Sequence, residues 1–452
     1  MTRMEFTTQE VTLTQVLQAR DRRVSLQQEL LKAFHCPLIC FTMNIAGPIK
    51  TSPLILRGFQ EGLAALDRVL PQDTVLARRT FQEITGCEAF YAVSADAAQL
   101  KQLCTAIEEA TPLGRRFDMD VLDTEGKKLE RSSLRGCIVC GKPGRSCAAG
   151  RLHPVAQLQE VTRQILRDHF AAADREHIGT LAYESLLAEV NTTPKPGLVD
   201  RRNCGSHRDM DIHTFTASAA ALKPYFAQCL QIGQETADAP PEDCFFRLRQ
   251  AGLEAEQAMY QATGGVHTHK GAVYTMGLLC GSIGRLWAPE TPFSGITPTL
   301  AQCAQIGQAA LGDFTAMTGN TAGERLYLQI GLTGIRGEAA AGFPSVANIA
   351  LPVYTEALCQ GLSSNDAAAV TLLHLIAQVE DTNLYHRGGS QGAAYAKESA
   401  RALLNVNPWP TTQQLEELDD AFIARNLSPG GCADLLAVTC FLHKLSVEPL
   451  LQ

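Results

Sequence analysis

Apolar residues recur at helical spacing through most of the second half of the chain and mix with strand-like runs only in the first. In 14–34, Val16, Leu17, Val24, Leu30, Leu31 and Phe34 form a loose helical stripe beside the charged band Arg20 to Arg23. Residues 37–43 (PLICFTM) read as a buried strand closed by the turn 44–48. A strand is expected at 89–93 and a helix at 95–110. A further strand follows at 117–122, with a hairpin running into 127–134. Residues 155–170 form an amphipathic helix. From 177 onward the apolar stretches 177–190, 213–231, 243–262, 271–286, 298–316, 346–361, 366–379, 390–404, 412–424 and 431–446 all have helical length. Alanine is abundant there and β-branched runs are few. The pattern predicts two domains, an N-terminal α+β domain (1–172) and a C-terminal all-α multi-helix domain (173–452), parting near 171–176.

A chain of 452 residues is too long for one ordinary core. Its 45% hydrophobic and 19% charged residues describe a well-buried globular protein, and a net charge of −8 argues against a nucleic-acid binder held by phosphates. No apolar run resembling a secretory signal is seen at 1–15, and no segment reaches the ~18 apolar residues of a membrane span, so a cytoplasmic location is expected. Fifteen cysteines, mostly inside apolar runs such as those around Cys40, Cys229, Cys280, Cys303, Cys359 and Cys440, fit reduced thiols.

The chemistry concentrates in loops. Residues 189–213 (EVNTTPKPGLVDRRNCGSHRDMDIH) carry Lys195, Asp200, Asn203, His207 and Asp209, and their prolines and glycines exclude a continuous helix. Residues 264–271 (GGVHTHKG) bring His267, His269 and Lys270 to a helix start, where free N–H groups suit phosphate oxygens. Residues 380–389 (EDTNLYHRGG) add Asp381, Asn383 and Arg387. Asp381 falls at the end of the helix before it, where a bound cation would relieve its clash with the helix dipole. The glycine-rich connection 319–345 offers Arg336 as a ligand contact, and 428–435 reads as a helix start that includes Asp434.

In the first half, Asn44 and Lys50 follow a buried strand. Asp118 and Asp120, two apart on a strand, project from one face beside Arg115 and Arg116, an arrangement suited to magnesium carrying substrate phosphates or to a solvent-facing polar edge. Cys137, Cys140, Cys147 and His153 could close a tetrahedral zinc site, or be reduced cysteines in a tight glycine-rich turn.

Both halves resemble known families. TPKPGLVDRRNCGSHRDMD, GGVHTHKGA, IRGEAAAGFP, EDTNLYHRGG and SPGGCADLLA resemble triphosphoribosyl-dephospho-CoA synthase from about 175 to the end. LQARDRR, PLICFTMNIAGPIK, PLGRRFDMDVLD and CIVCGKPGRSCAAGRLH resemble citrate lyase holo-acyl-carrier-protein synthase, the phosphoribosyl-dephospho-CoA transferase. The resemblance implies a bifunctional enzyme. The second half would join the ribose of ATP to 3'-dephospho-CoA with loss of adenine. The first would transfer the phosphoribosyl-dephospho-CoA unit to a serine of the citrate lyase acyl carrier protein with loss of pyrophosphate. On that chemistry Asp381, Asp209 or Asp200 would serve as carboxylates or magnesium ligands, and His207, His267 or His269 as acid. Lys195, Lys270 and Arg387 would hold the triphosphate, and Asp118 and Asp120 would hold magnesium beside Arg115 or Arg116. Service to malonate decarboxylase, or a non-catalytic assembly factor that binds dephospho-CoA and the carrier, are the rival readings.

Overall fold

The computed structural model describes residues 9–131, 135–315 and 322–447. It divides into two compact units between Ala172 and Ala173.

The first unit runs α1 (Leu13–Phe34), β1 (Leu38–Met43), α2 (Pro53–Val69), β2 (Val75–Glu83), β3 (Gly86–Val93), α3 (Ala97–Ala110), β4 (Phe117–Leu122) and α4 (Gly144–Ala149). Its strands form one antiparallel sheet in the order β2-β3-β1-β4. β1 is central, and Leu38 to Phe41 are all buried, which explains its unbroken apolar run. Periodicity missed α2 and β2. β2 is an edge strand rich in polar residues, and pairing with β3 defines it where its own side chains do not. Arg22 and Arg23 form ion pairs with Glu83 and Glu88.

The other edge, β4, is closed by side chains. Glu108 accepts from the Met119 N–H at 2.8 Å, Lys101 donates to the Met119 carbonyl at 3.1 Å, and Arg135 donates to the Phe117 carbonyl. Beyond β4, Leu122 bridges Lys128, so the expected hairpin partner is reduced to that bridge, and 132–134 lie outside the described residues. Asp118 pairs opposite Thr42 and Asp120 opposite Cys40. Both carboxylates therefore share the sheet face whose far end, around Leu38, Cys40 and Leu122, is packed with Leu30 and its neighbours on α1.

The division between units falls inside α5 (Val155–Asn191), a helix unbroken where the sequence suggested an interruption. The second unit continues through α6 (Ile212–Glu235), α7 (Pro241–Ala262), α8 (Lys270–Leu286), α9 (Ile296–Thr315), α10 (Ala322–Ile330), α11 (Gly334–Ala340), α12 (Leu351–Cys359), α13 (Ser364–Gln378), α14 (Thr382–Val406), α15 (Thr412–Ile423) and α16 (Gly430–Val447). α10 and α11 occupy much of what was expected to be a flexible connection, of which 319–321 lie outside the described residues. α14 begins eight residues earlier than its apolar pattern, then breaks at Gly389 (φ 63°, ψ −166°). Cys359 is exposed, unlike the other cysteines expected in apolar runs.

α8 is the central helix of this unit, buried along nearly its whole length, and α6 crosses it at glycines. A Cβ on Gly284 would stand 2.1 Å from the Leu230 carbonyl oxygen, and one on Gly233 2.1 Å from that of Gly281. Gly284→Ala is therefore expected to destabilise the unit by about 1–3 kcal/mol or more, read as a lower urea midpoint. α16 has the length and apolarity of a membrane span, with a mean hydropathy of 1.2, contrary to the sequence expectation. Leu435, Leu436, Val438, Phe441 and Leu442 are buried in the unit's core, so its apolarity serves packing.

Candidate active sites

The three polar loops of the second unit meet around one cavity of about 640 Å3. The first turns of α8, α11, α14 and α16 reach its wall alongside Lys270 and Arg336, with the Asn383, Leu384 and Cys432 N–H groups already taken by Asp381. A second cavity of about 350 Å3 adjoins it, lined by Tyr225, Phe245, Leu248 and Tyr274, and shares Lys270, Gly271, Ile335 and Arg336 with the first.

The carboxylates named from sequence differ in what they are free to do. Asp381 is not at a helix C-terminus; it is the N-cap of α14. Its Oδ1 accepts from the N–H groups of Asn383 and Leu384, and its Oδ2 from Cys432 at 2.8 Å. With both oxygens bound to backbone, it has little capacity left for a metal. Asp200 accepts from Lys195, Arg202 and Asn203 N–H groups, and Asn203 donates to Asp419 at 2.7 Å. These two residues shape the loop and lie off the cavity wall. Asp209 lies on the wall and makes no side-chain hydrogen bond among the described residues.

Lys195 is 1% exposed, and its ammonium donates to Glu189 at 2.5 Å, so it is a buried ion pair at the wall rather than a free phosphate ligand. Arg387 donates to the Ser206 carbonyl, to Asn426 and to His207 Nδ1, which leaves less of its guanidinium for a ligand than the sequence suggested. Lys270 is exposed at the α8 N-terminus, with Glu256 at 3.8 Å. Asn383 lies on the wall, and its Nδ2 is 2.5 Å from where a Cβ on Gly430 would stand.

Because arginine only donates, His207 Nδ1 must accept, and its Nε2 proton points to Ser428 Oγ at 3.0 Å. Burial, then the Arg387 charge, lower its pKa to about 4. His269 is buried. Thr268 donates to Ser218, whose hydroxyl hydrogen-bonds His269 Nδ1 at 2.7 Å, and His269 Nε2 is buried with no hydrogen-bond partner among the described residues. Burial, then Lys195, lower His269 to about 3. Neither ring is an imidazolium at neutral pH, which weighs against the acid role expected of them. His267 is exposed and packs at a tilt against Tyr260, 4.9 Å between ring centroids. A stability consequence follows. Below an ordinary value of 6.5 the unfolded chain binds protons that the folded chain refuses, so stability falls as pH drops from 6.5 towards 4. Urea midpoints at pH 7 and 5 should show this, with a flatter slope in His207→Gln.

Asp434, a lesser feature of the sequence, has the most unusual position. It sits over the α8 N-terminus so closely that a Cβ on Gly271 would lie 1.8 Å from its Oδ2. Loss of water, then the charges of Glu189 and Asp381, raise its pKa well above the carboxylate range, against the Ala272 N–H. Its direction of shift, set mainly by burial, marks it as the carboxyl on this wall most inclined to hold a proton, although its side chain still reaches the cavity.

The first unit holds its own cavity of about 940 Å3, walled by Asn44, Asp118, Asp120 and cations that outnumber the acids, among them Arg115, Lys128, Arg135 and Arg151. Asp120 binds Lys128 at 2.6 Å, whereas Asp118 makes no hydrogen bond among the described residues. Arg115 donates to the Gly136 carbonyl at 2.6 Å. Arg116 is buried and donates to Thr162, and burial lowers its pKa to about 10, so it braces the wall more than it meets a ligand. Lys50 folds onto the Ile45 carbonyl at 2.6 Å and is not part of the wall. One ligand atom from each of Cys137, Cys140, Cys147 and His153 lies within 4.8 Å of the others.

Each unit thus holds a cavity of nucleotide size walled by both acidic and basic side chains, with cations outnumbering acids only in the first unit, and such paired cavities suit two group-transfer sites. The family model of ATP:dephospho-CoA triphosphoribosyl transferase matches residues 175–450, and that of apo-citrate lyase phosphoribosyl-dephospho-CoA transferase matches 11–169. Protein CitXG of Haemophilus influenzae is 37% identical over 95% of this chain and 96% of its own length. Protein CitXG of Leuconostoc mesenteroides subsp. cremoris is 33% identical over 96% of this chain and 97% of its own. A probable 2-(5''-triphosphoribosyl)-3'-dephosphocoenzyme-A synthase of Vibrio cholerae is 44% identical over 59% of this chain and 88% of its own. The chain belongs to the family of fused proteins that carry both transferases, the citrate lyase transferase first.

Proposed function

We propose that this chain makes the citrate lyase prosthetic group in its second unit and attaches it from its first. The observation that carries this reading is that each family match contains a cavity of nucleotide size with ionisable side chains on its wall.

In the second unit, ATP would occupy the larger cavity with its triphosphate at Lys270, Arg336 and the α8 N-terminus, and dephospho-CoA would extend its pantetheine arm into the adjoining cavity. The 2'-hydroxyl oxygen of dephospho-CoA attacks ribose C1, the C1–N bond breaks, and adenine departs with a proton. The protonated Asp434 donates that proton, Asp209 takes the one from the attacking hydroxyl, and the unpartnered His269 Nε2 hydrogen-bonds a substrate oxygen or base nitrogen. In the first unit, the hydroxyl of a carrier-protein serine attacks the innermost phosphorus, the bond to the bridging oxygen breaks and pyrophosphate leaves. Asp118 accepts the serine proton or helps to seat the cation, and Arg115 and Arg135 face the departing charge.

Magnesium fits here better than at Asp381, because Asp118 has both oxygens open and Asp120 has one, with phosphates and water to complete six ligands. When bound it would neutralise charge on the pyrophosphate. A cytoplasmic location, where ATP is present and thiols stay reduced, agrees with free cysteines throughout the described residues.

The test incubates the purified chain with ATP, magnesium and 3'-dephospho-CoA, with and without apo carrier subunit, and follows products by chromatography and mass spectrometry. Adenine should appear in both cases, and pyrophosphate with a modified carrier only when the carrier is present. No adenine under any condition would leave an assembly factor as the better account, and modification of a malonate decarboxylase carrier alone would reassign the target.

A further inference from the structure

We propose that Cys137, Cys140, Cys147 and His153 bind one structural zinc ion that holds together the wall of the first unit's cavity. Cys140 Sγ lies 3.5 Å from Cys147 Sγ and 3.3 Å from His153 Nε2. A tetrahedron with Zn–S bonds of about 2.3 Å has edges of about 3.8 Å, so these separations need only small adjustment around an ion. They are far from the roughly 2.05 Å of a disulfide. Three thiolates and one imidazole are a zinc donor set, and all four ligands come from protein, as in a closed structural site. Among the described residues no other group of three or more His, Cys, Asp or Glu side chains converges in this way.

The backbone is shaped for it. The Gly141 N–H donates to the Cys137 carbonyl at 2.9 Å and the Cys137 N–H to the Lys142 carbonyl, closing a tight turn. Gly141 stands at φ 72°, a conformation that a side chain would strain. The Val139 N–H points at Cys137 Sγ from 3.5 Å, leaving that sulfur directed inward. α4 then supplies Cys147, and the turn through Arg151 (φ 47°) returns His153 to the same point.

Packing cannot replace the ion. Over 135–153 Cys147 is the one buried side chain, and the only helix there has six residues, so the segment buries too little apolar surface to order itself. Yet it places Arg135, Gly136, Arg145 and Arg151 on the cavity wall. A metal clip supplies the missing constraint.

The full-length chain, expressed in zinc-supplemented medium without an affinity tag, should contain about one zinc per chain by elemental analysis. After exchange, cobalt should give thiolate-to-metal charge transfer and tetrahedral d–d bands. Cys147→Ser should lose the zinc and the cobalt spectrum, and carrier modification should fall with them. Adenine release from the second unit should persist, which reports that the variant chain has folded. A folded wild-type chain with less than about a tenth of a zinc per chain and no cobalt spectrum would overturn the proposal. So would full zinc in Cys147→Ser, or a Cys140–Cys147 disulfide as the main state under reducing purification.

Discussion

Replacing Asp434 with asparagine is expected to slow adenine release by about a hundred- to ten-thousand-fold, with a much smaller change in KM for ATP. The amide keeps the shape but has no proton to give. The pH profile separates this role from a merely structural one. Asp434 is protonated below a raised pKa, so wild-type rate should fall as pH rises through that value, and Asp434→Asn should lack that limb. Gly271→Ala approaches the same point independently. Its new methyl would meet Asp434 Oδ2 at 1.8 Å and displace the carboxyl from the α8 N-terminus, so it should reproduce most of the loss. A full-rate Asp434→Asn enzyme with an unchanged profile would remove Asp434 from the mechanism and return the acid role to His267.

Asp118→Asn should reduce carrier modification and pyrophosphate release by about a hundred- to a thousand-fold while adenine release continues. Asp120→Asn should cost less, because one of its oxygens already faces Lys128. The two activities of one chain make each the folding control for the other. If Asp118→Asn modifies the carrier at the wild-type rate, neither the base nor the magnesium role survives. Equal losses in the two variants would point to the pair acting as one cation site.

Much of this architecture was legible in the sequence because helix and strand periods reflect burial directly. The run 271–286 announced a central helix, and the alternation in 117–122 placed Asp118 and Asp120 on one face, as the structure has them. α2, β2, α10 and α11 were missed. β2 exists through its partner strand, and α10 and α11 lie among glycines that dilute any periodic signal. The helix start of α14 was hidden for a related reason. Asp381 could end one helix or cap the next, and only the backbone path decides.

By itself the sequence determined two unlike halves, the family of each and the loops where chemistry gathers, since these depend on residue type and order. Only the tertiary structure decided which polar groups within those loops remain available. Asn203 is held by Asp419 and Asp381 by the Cys432 N–H, partners 216 and 51 residues away. The Asp434 carboxyl is pushed upward first by burial and then by Glu189 and Asp381, groups that are distant from it in the chain. A side chain's hydrogen bonds and its charge state are set by whatever surrounds it in space, and long-range folding brings those neighbours together.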